Sequence, residues 1–206
     1  MRNDYRCAPR FDTIIGNNIP GGPDRGVSGR MGKNGTVQVK RMSSATPIAG
    51  EAADARVGSD PAIVTNIRVK EFYLYWLARR GDRQFPSRAD IEPTDIPHLL
   101  SGIVLLDVSY DPLDFEYRLI GGDVVKRLGS LKGKRVREAS LVNPSSTAYR
   151  NYCLVVESGA PQFLEGVAIG AYRQDHPIVV SRVHCPLSTD GKRIDKIISY
   201  LVFLER

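Results

Sequence analysis

Apolar residues first recur at helical spacing in IRVKEFYLYWLARRG, where Ile67, Glu71, Leu74 and Ala78 share one side and Phe72, Tyr75, Trp76 and Leu77 crowd the next. This pattern predicts an amphipathic helix with a broad apolar face. Arg79 and Arg80 suit the negative end of its dipole, and Gly81 supplies a C-terminal stop. In PSRADIEPTDIPHLLSG, Ser87 and Asp90 have capping-box spacing, while Pro93 and Pro97 limit any helix to two or three short turns. An apolar run from Ile103 to Val108 follows, then turn chemistry at Asp111-Pro112-Leu113-Asp114. Beyond it Phe115, Tyr117 and Leu119 alternate with Glu116 and Arg118. Period two on both sides of a turn predicts a β-hairpin.

Gly121-Gly122 breaks the second strand, and Asp123 is placed to cap a short helix VVKRLG. After a loop from Ser130 to about Pro144, Ser145 or Ser146 can cap a longer helix running through Glu157, with Tyr149, Tyr152, Cys153 and Val156 along one face and Gly159 ending it. Three strands are predicted next, over Gln162 to Ile169, Pro177 to Leu187 and Ile194 to Leu204, the last two joined by Ser188-Thr189-Asp190-Gly191. The last strand is apolar on both faces: Ile194, Ile198, Tyr200, Val202 and Leu204 on one, Ile197, Leu201 and Phe203 around Ser199 on the other. Both sides of the sheet must therefore be covered. The helical middle covers one side. The helix from Ile67 to Arg80 covers the other, in its own chain or a neighbour's. The breadth of the Phe72, Tyr75, Trp76 and Leu77 face leads to the expectation of a homodimer.

Residues 1–60 contrast with this. They are rich in Gly, Ser, Asn and Arg, with Tyr5 and Phe11 as their aromatics, and are read as disordered because they offer too little apolar surface to offset the entropy of ordering. The ordered domain is expected over 61–206. Met42 is a candidate for the true start of translation, which mass spectrometry of the native N-terminus would settle. The 206-residue chain carries 29 Lys and Arg against 23 Asp and Glu. Its apolar runs are too short to span a bilayer and no signal-peptide pattern is present, so a cytoplasmic location with no membrane association is expected. Cys7, Cys153 and Cys185 form no CxxC pair and no zinc spacing, so neither a disulfide framework nor a metal site is expected.

The order of helix, two strands, helical middle and three strands fits an α+β domain with a five-stranded antiparallel sheet. More specific are the words YWLARRGDRQFPSRADIEPTDIPHLLSGIVLLDV and FEYRLIGGDVVKRLGSLKGKRV. With Trp76, Pro86-Ser87-Arg88, Asp90-Ile91, Pro93, Ile96-Pro97, Leu99-Leu100 and Tyr117 to Gly121, the chain resembles a bacterial PAS subfamily found mainly in alphaproteobacteria. The likeness runs from about Ile67 to Arg206. It departs at Gly129-Ser130-Leu131-Lys132-Gly133, where those proteins carry Gly-Arg-Asp-Leu-Thr-Gly. The resemblance implies a sheet curved around a helical flap and a sensory or docking role, with no particular ligand. No output domain follows the last strand, so a stand-alone module is expected.

No catalytic constellation is legible. The GxxxxGK[ST] and GxSxG patterns are absent, and Gly121-Gly122 lacks the third glycine of a dinucleotide fingerprint. Asn151-Tyr152-Cys153-Leu154 only faintly echoes a flavin photosensor's reactive cysteine, and of His98, His176 and His184 only His184 lies within a strand where it could reach haem iron; neither flavin nor haem is expected. Candidate polar groups for a ligand between the long helix and the sheet are Tyr117, Tyr149, Tyr152, Cys153, His184 and Ser199, with a filled core as the alternative. Lys126, Arg127, Lys132, Lys134, Arg135 and Arg137 form the densest basic run. It reads as a solvated loop, or else as a surface for an anion or a partner protein; nucleic-acid binding is not expected. The functions in competition are a regulatory module binding a small ligand or signalling partner, a scaffold with no ligand, and nucleic-acid binding through this loop.

Overall fold

The computed structural model describes residues 55–138, 147–169 and 178–204. The reading of the N-terminal segment as disordered lies outside the described residues as far as position 54. From 55 onward it is corrected, because Arg56–Gly58 is a strand, β1. The remaining strands are β2 (Ile103–Tyr110), β3 (Leu113–Ile120), β4 (Gln162–Ile169), β5 (Ile178–Leu187) and β6 (Lys196–Leu204). They form one sheet in the order β1-β4-β5-β6-β2-β3, every neighbouring pair antiparallel. The sheet thus has six strands where the sequence pattern implies five. The extra one is a three-residue edge whose single apolar residue, Val57, leaves no periodicity to detect. Pairing with β4 holds it, Arg56 lying opposite Glu165, and Gln162 Nε2 donates to Ser59 Oγ at 3.1 Å beside it.

Helix α1 (Ile67–Arg80) begins at Asn66, whose side chain accepts from the Arg68 N–H, and stops at Gly81, which takes a positive φ of 55°. Its buried Val69, Phe72 and Trp76 lie on one face of the sheet against Phe163, Val183, Cys185, Leu187, Ile198 and Tyr200. The Phe72 and Tyr200 rings stack with centroids 5.5 Å apart, and Trp76 Nε1 donates to the Pro186 carbonyl at 3.0 Å. Three short 3-10 turns, Arg88–Asp90, Pro93–Asp95 and Pro97–Gly102, continue this layer with Ile91, Ile96 and Leu99. The capping box forms as expected: Asp90 Oδ2 accepts from the Ser87 N–H at 2.7 Å and from its Oγ at 2.8 Å. Hydrogen bonding from Arg83, then from Ser87, holds the Asp90 carboxyl at about 2.

The α1 face is wide because it serves two neighbours in one chain. Phe72 and Trp76 are fully covered by the sheet, Leu77 is half-buried against the same core, and the Tyr75 hydroxyl accepts from the Glu92 N–H at 2.8 Å in the 3-10 segment. Of the four residues named for a homodimer, Phe72 and Trp76 are thus covered within the chain. Ile194 also differs from the expectation. It precedes β6 and packs in the opposite core, because period-two alternation starts only at Lys196.

The other face of the sheet carries α2 (Gly122–Leu128) and α3 (Ala148–Ser158), whose Val124, Tyr152, Cys153 and Val155 meet Val104, Leu106, Phe115, Tyr117, Val180, Ile197 and Leu201. Gly121, not Asp123, is the cap residue of α2. Asp123 sits in the first turn and accepts from Ser101 Oγ at 2.6 Å. The longer helix starts after Thr147; the expected cap at Ser145 or Ser146 lies outside the described residues. Among the described residues no helix is long and apolar enough to cross a membrane.

Candidate ligand site

Strand β5 is buried along its whole length. Its alternation sends Val183, Cys185 and Leu187 toward α1 and Ile178 and Val180 toward α3. By the same period Arg182 and His184 belong to the α3 side. Neighbouring β6 places Ser199 opposite His184 and Leu201 opposite Arg182. Tyr117 comes from β3 and Tyr152 from α3, so three strands and a helix contribute one polar cluster inside an otherwise apolar layer. Its five residues are between 1 and 7% exposed.

The cluster is joined by hydrogen bonds and ring contacts. His184 Nδ1 is 2.6 Å from Ser199 Oγ, and the Tyr152 ring meets the His184 imidazole edge to face at 4.7 Å. The hydroxyls of Tyr117 and Ser199 lie beside that of Tyr152. Burial raises both phenols above their usual range, Tyr117 furthest, so both stay neutral donors. Burial, and then the neighbouring Arg182 charge, push His184 well below 6.5, which keeps the imidazole neutral at pH 7. Burial also lowers Arg182, though the two tyrosines oppose this, and a guanidinium remains charged.

Arg182 Nε and Nη2 and His184 Nε2 are buried without a hydrogen-bond partner. An uncompensated buried charge costs several kcal/mol, and most buried polar atoms in native proteins are satisfied. The arrangement suits binding of a polar molecule and is poorly suited to acid–base chemistry. A buried Ser and His at 2.6 Å resemble a nucleophile and its base. A base of that kind needs a partner that stabilises the imidazolium, and here the nearby charge is Arg182, which opposes it.

Of the six sequence-derived candidates, the structure brings Tyr117, Tyr152, His184 and Ser199 together. Tyr149 stands apart: its hydroxyl donates to the Leu113 carbonyl at 2.9 Å and accepts from Arg137 Nη2 at 2.6 Å. Cys153 is buried in the same core and is disulfide-bonded. Arg182 was missed. Its signal was a charge within the apolar run IVVSRVHCPL, two residues from His184 and hence on the same face.

The residues of the basic run divide between two places. Arg135 reaches buried Asp114 at 3.7 Å, and Arg137 donates to the Leu113 carbonyl at 3.0 Å and lies over the Tyr149 ring at 5.0 Å. Lys132 and Lys134 are exposed. Lys126 and Arg127 instead line a cleft of about 330 Å³ with Arg68, Ser101 and Asp123, where Lys126 lies 3.6 Å from Asp123 and Arg127 covers the Phe203 ring. Among the described residues no group of three His, Cys, Asp or Glu side chains is placed to hold a metal ion.

A family model described as "PAS domain" matches residues 64–173. No curated protein matches the chain. A solved structure titled "Structure of an RNA-binding Light-Oxygen-Voltage Receptor" is similar at 17% identity, with a TM-score of 0.38, over 57% of this chain and 35% of that one.

Proposed function

The chain belongs to the PAS domain family, and from that premise we propose that it is a regulatory module that holds a small ligand between α3 and the sheet and passes the bound state to a partner protein, without turnover. The observation that carries this reading is the buried cluster of Tyr117, Tyr152, Arg182, His184 and Ser199, in which Arg182 and His184 keep nitrogens without a hydrogen-bond partner inside an apolar layer. A scaffold with a filled core has no use for a buried cation left unsatisfied, and an apolar residue of similar size would be more stable there. Absence of turnover is supported by the Arg182 charge beside His184. The bacterial subfamily with the PSRAD and YRLIG words, and a cytoplasmic setting, are part of the same proposal. So is self-association, which would use a surface other than the covered Phe72 and Trp76 and is read directly by sedimentation.

A thermal-shift screen of the full chain against a chemically varied metabolite set tests the reading. At least one compound raises the wild-type midpoint by several degrees, and Tyr152→Phe reduces that rise. A set in which nothing shifts the wild type favours the scaffold. Binding of single-stranded nucleic acid that weakens steeply with salt would favour the basic-loop alternative instead.

A further inference from the structure

We propose that the ligand of this site is a small carboxylate, docked side-on against the Nε and Nη2 edge of Arg182. This rests on the ligand-binding reading above and adds the chemical class.

The two unpartnered nitrogens of Arg182 define the shape of the missing partner. Nε and Nη2 lie on the same edge of the planar guanidinium and present two parallel N–H groups, the fork that matches a carboxylate in two-point contact. A single water or hydroxyl satisfies only one of them. Their burial means that bulk solvent does not do the work, and among the described residues no acidic side chain is paired with this one. The surrounding groups point the same way. Of the two neutral phenols, Tyr117 and Tyr152, the one whose O–H is not spent on the other can donate to an anion without adding charge, and His184 Nε2 has no partner. The walls of the layer, including Phe115, Val180 and Leu201, are apolar. A ligand complementary to all of this carries one negative group at the Arg182 end and an apolar remainder.

Calorimetric titration of the full chain tests this, with a series of monocarboxylates from acetate to octanoate together with benzoate, and with benzamide and inorganic phosphate as comparators. At least one carboxylate binds the wild type, and its uncharged amide binds about thirty-fold more weakly or worse, the usual consequence of leaving one member of a buried charge pair alone. Arg182→Met removes carboxylate binding, yet in the absence of ligand it melts no lower than wild type, because it relieves an uncompensated buried charge. Arg182→Lys, which keeps the charge but loses the two-point edge, binds at least about tenfold more weakly and keeps the test available should the Met variant fail to fold.

The assignment is overturned if no carboxylate binds, if phosphate or benzamide binds as well as benzoate, or if Arg182→Met binds unchanged. It is overturned too if ligand-free Arg182→Met melts lower than wild type while no carboxylate binds, which would mean that Arg182 has a partner within the protein. A neutral ligand bound equally by wild type and Arg182→Met removes the carboxylate and leaves the sensory reading standing. Failure of every ligand to bind removes both.

Discussion

His184 Nδ1 and Ser199 Oγ lie 2.6 Å apart across the register pair that joins β5 to β6, and each residue is 1% exposed. Their pairing fixes which ring nitrogen is engaged and leaves Nε2 buried without a partner. It also ties the stability of the fold to pH.

His184 is held well below 6.5 by burial and by Arg182, so the folded chain resists protonation where the unfolded chain accepts it. The unfolded state therefore binds more protons as pH falls below about 6.5, and stability drops with falling pH, by at most about 1.4 kcal/mol per pH unit from this one group. The loss ends only below the folded value. Asp90 and Asp190, both lowered to about 2, add their own loss in a more acidic window below about 4. Urea midpoints measured from pH 7 to pH 5 show the decline in wild type and a flatter profile in His184→Gln. Equal slopes in the two proteins remove His184 as the cause.

Trp76 anchors α1 to the other face through a fully buried ring and its N–H bond to the Pro186 carbonyl. Trp76→Ala costs about 3–5 kcal/mol in chemical denaturation. Trp76→Phe keeps most of the packing but leaves the Pro186 carbonyl unsatisfied, and costs about 1–3 kcal/mol. Near-zero values for both would mean that the helix is not seated on the sheet.

Gly121 and Gly122 are adjacent in sequence and opposite in tolerance. A Cβ on Gly121 would stand 2.3 Å from the Ser101 carbonyl oxygen and 2.5 Å from that of Leu100, whereas one on Gly122 meets nothing within 4 Å. Backbone atoms cannot step aside as a flexible side chain can. Gly121→Ala therefore destabilises by about 1–3 kcal/mol or more, and Gly122→Ala, at the start of α2, is neutral or stabilising by up to about 1 kcal/mol. Thermal melts of the two variants check the contrast, and equal effects would place the 3-10 segment elsewhere.

Strand β1 gives a test of the domain boundary. Chains beginning at residue 55 and at residue 60 differ by the three-residue edge on β4 and by the Ser59 contact to Gln162. The shorter chain melts a few degrees lower, since about 1 kcal/mol moves the midpoint by about 2–4 °C at this size. Identical melts would mean that order begins at Pro61, as the sequence pattern implies.

Much of this architecture is legible in the sequence because its elements are long and periodic. The α1 pattern, the β2–β3 hairpin with its turn, and the doubly apolar final strand each predict what is observed, including the need to cover both faces of the sheet. What escapes is set by partners distant in the chain. Three residues of β1 carry no period of their own and owe their conformation to β4, more than a hundred positions away. Part of the width of the α1 face serves a second neighbour in the same chain, through the Tyr75 contact to Glu92. Tyr117, Tyr152, His184 and Ser199 could be nominated from strand and helix faces, whereas Tyr149 shares a helix face with Tyr152 yet spends its hydroxyl on Leu113. Arg182 was hidden by its own charge, because an arginine within a strand is ordinarily read as marking an exposed position.

Native mass spectrometry of the full chain, purified without ligand and compared with the same sample under denaturing conditions, decides whether the domain holds a ligand. A small molecule is retained with the folded chain, is released on unfolding, and is lost from Tyr117→Phe/Tyr152→Phe. A bare chain mass from every growth condition, unchanged when metabolite extract is added back, would contradict it and leave a scaffold.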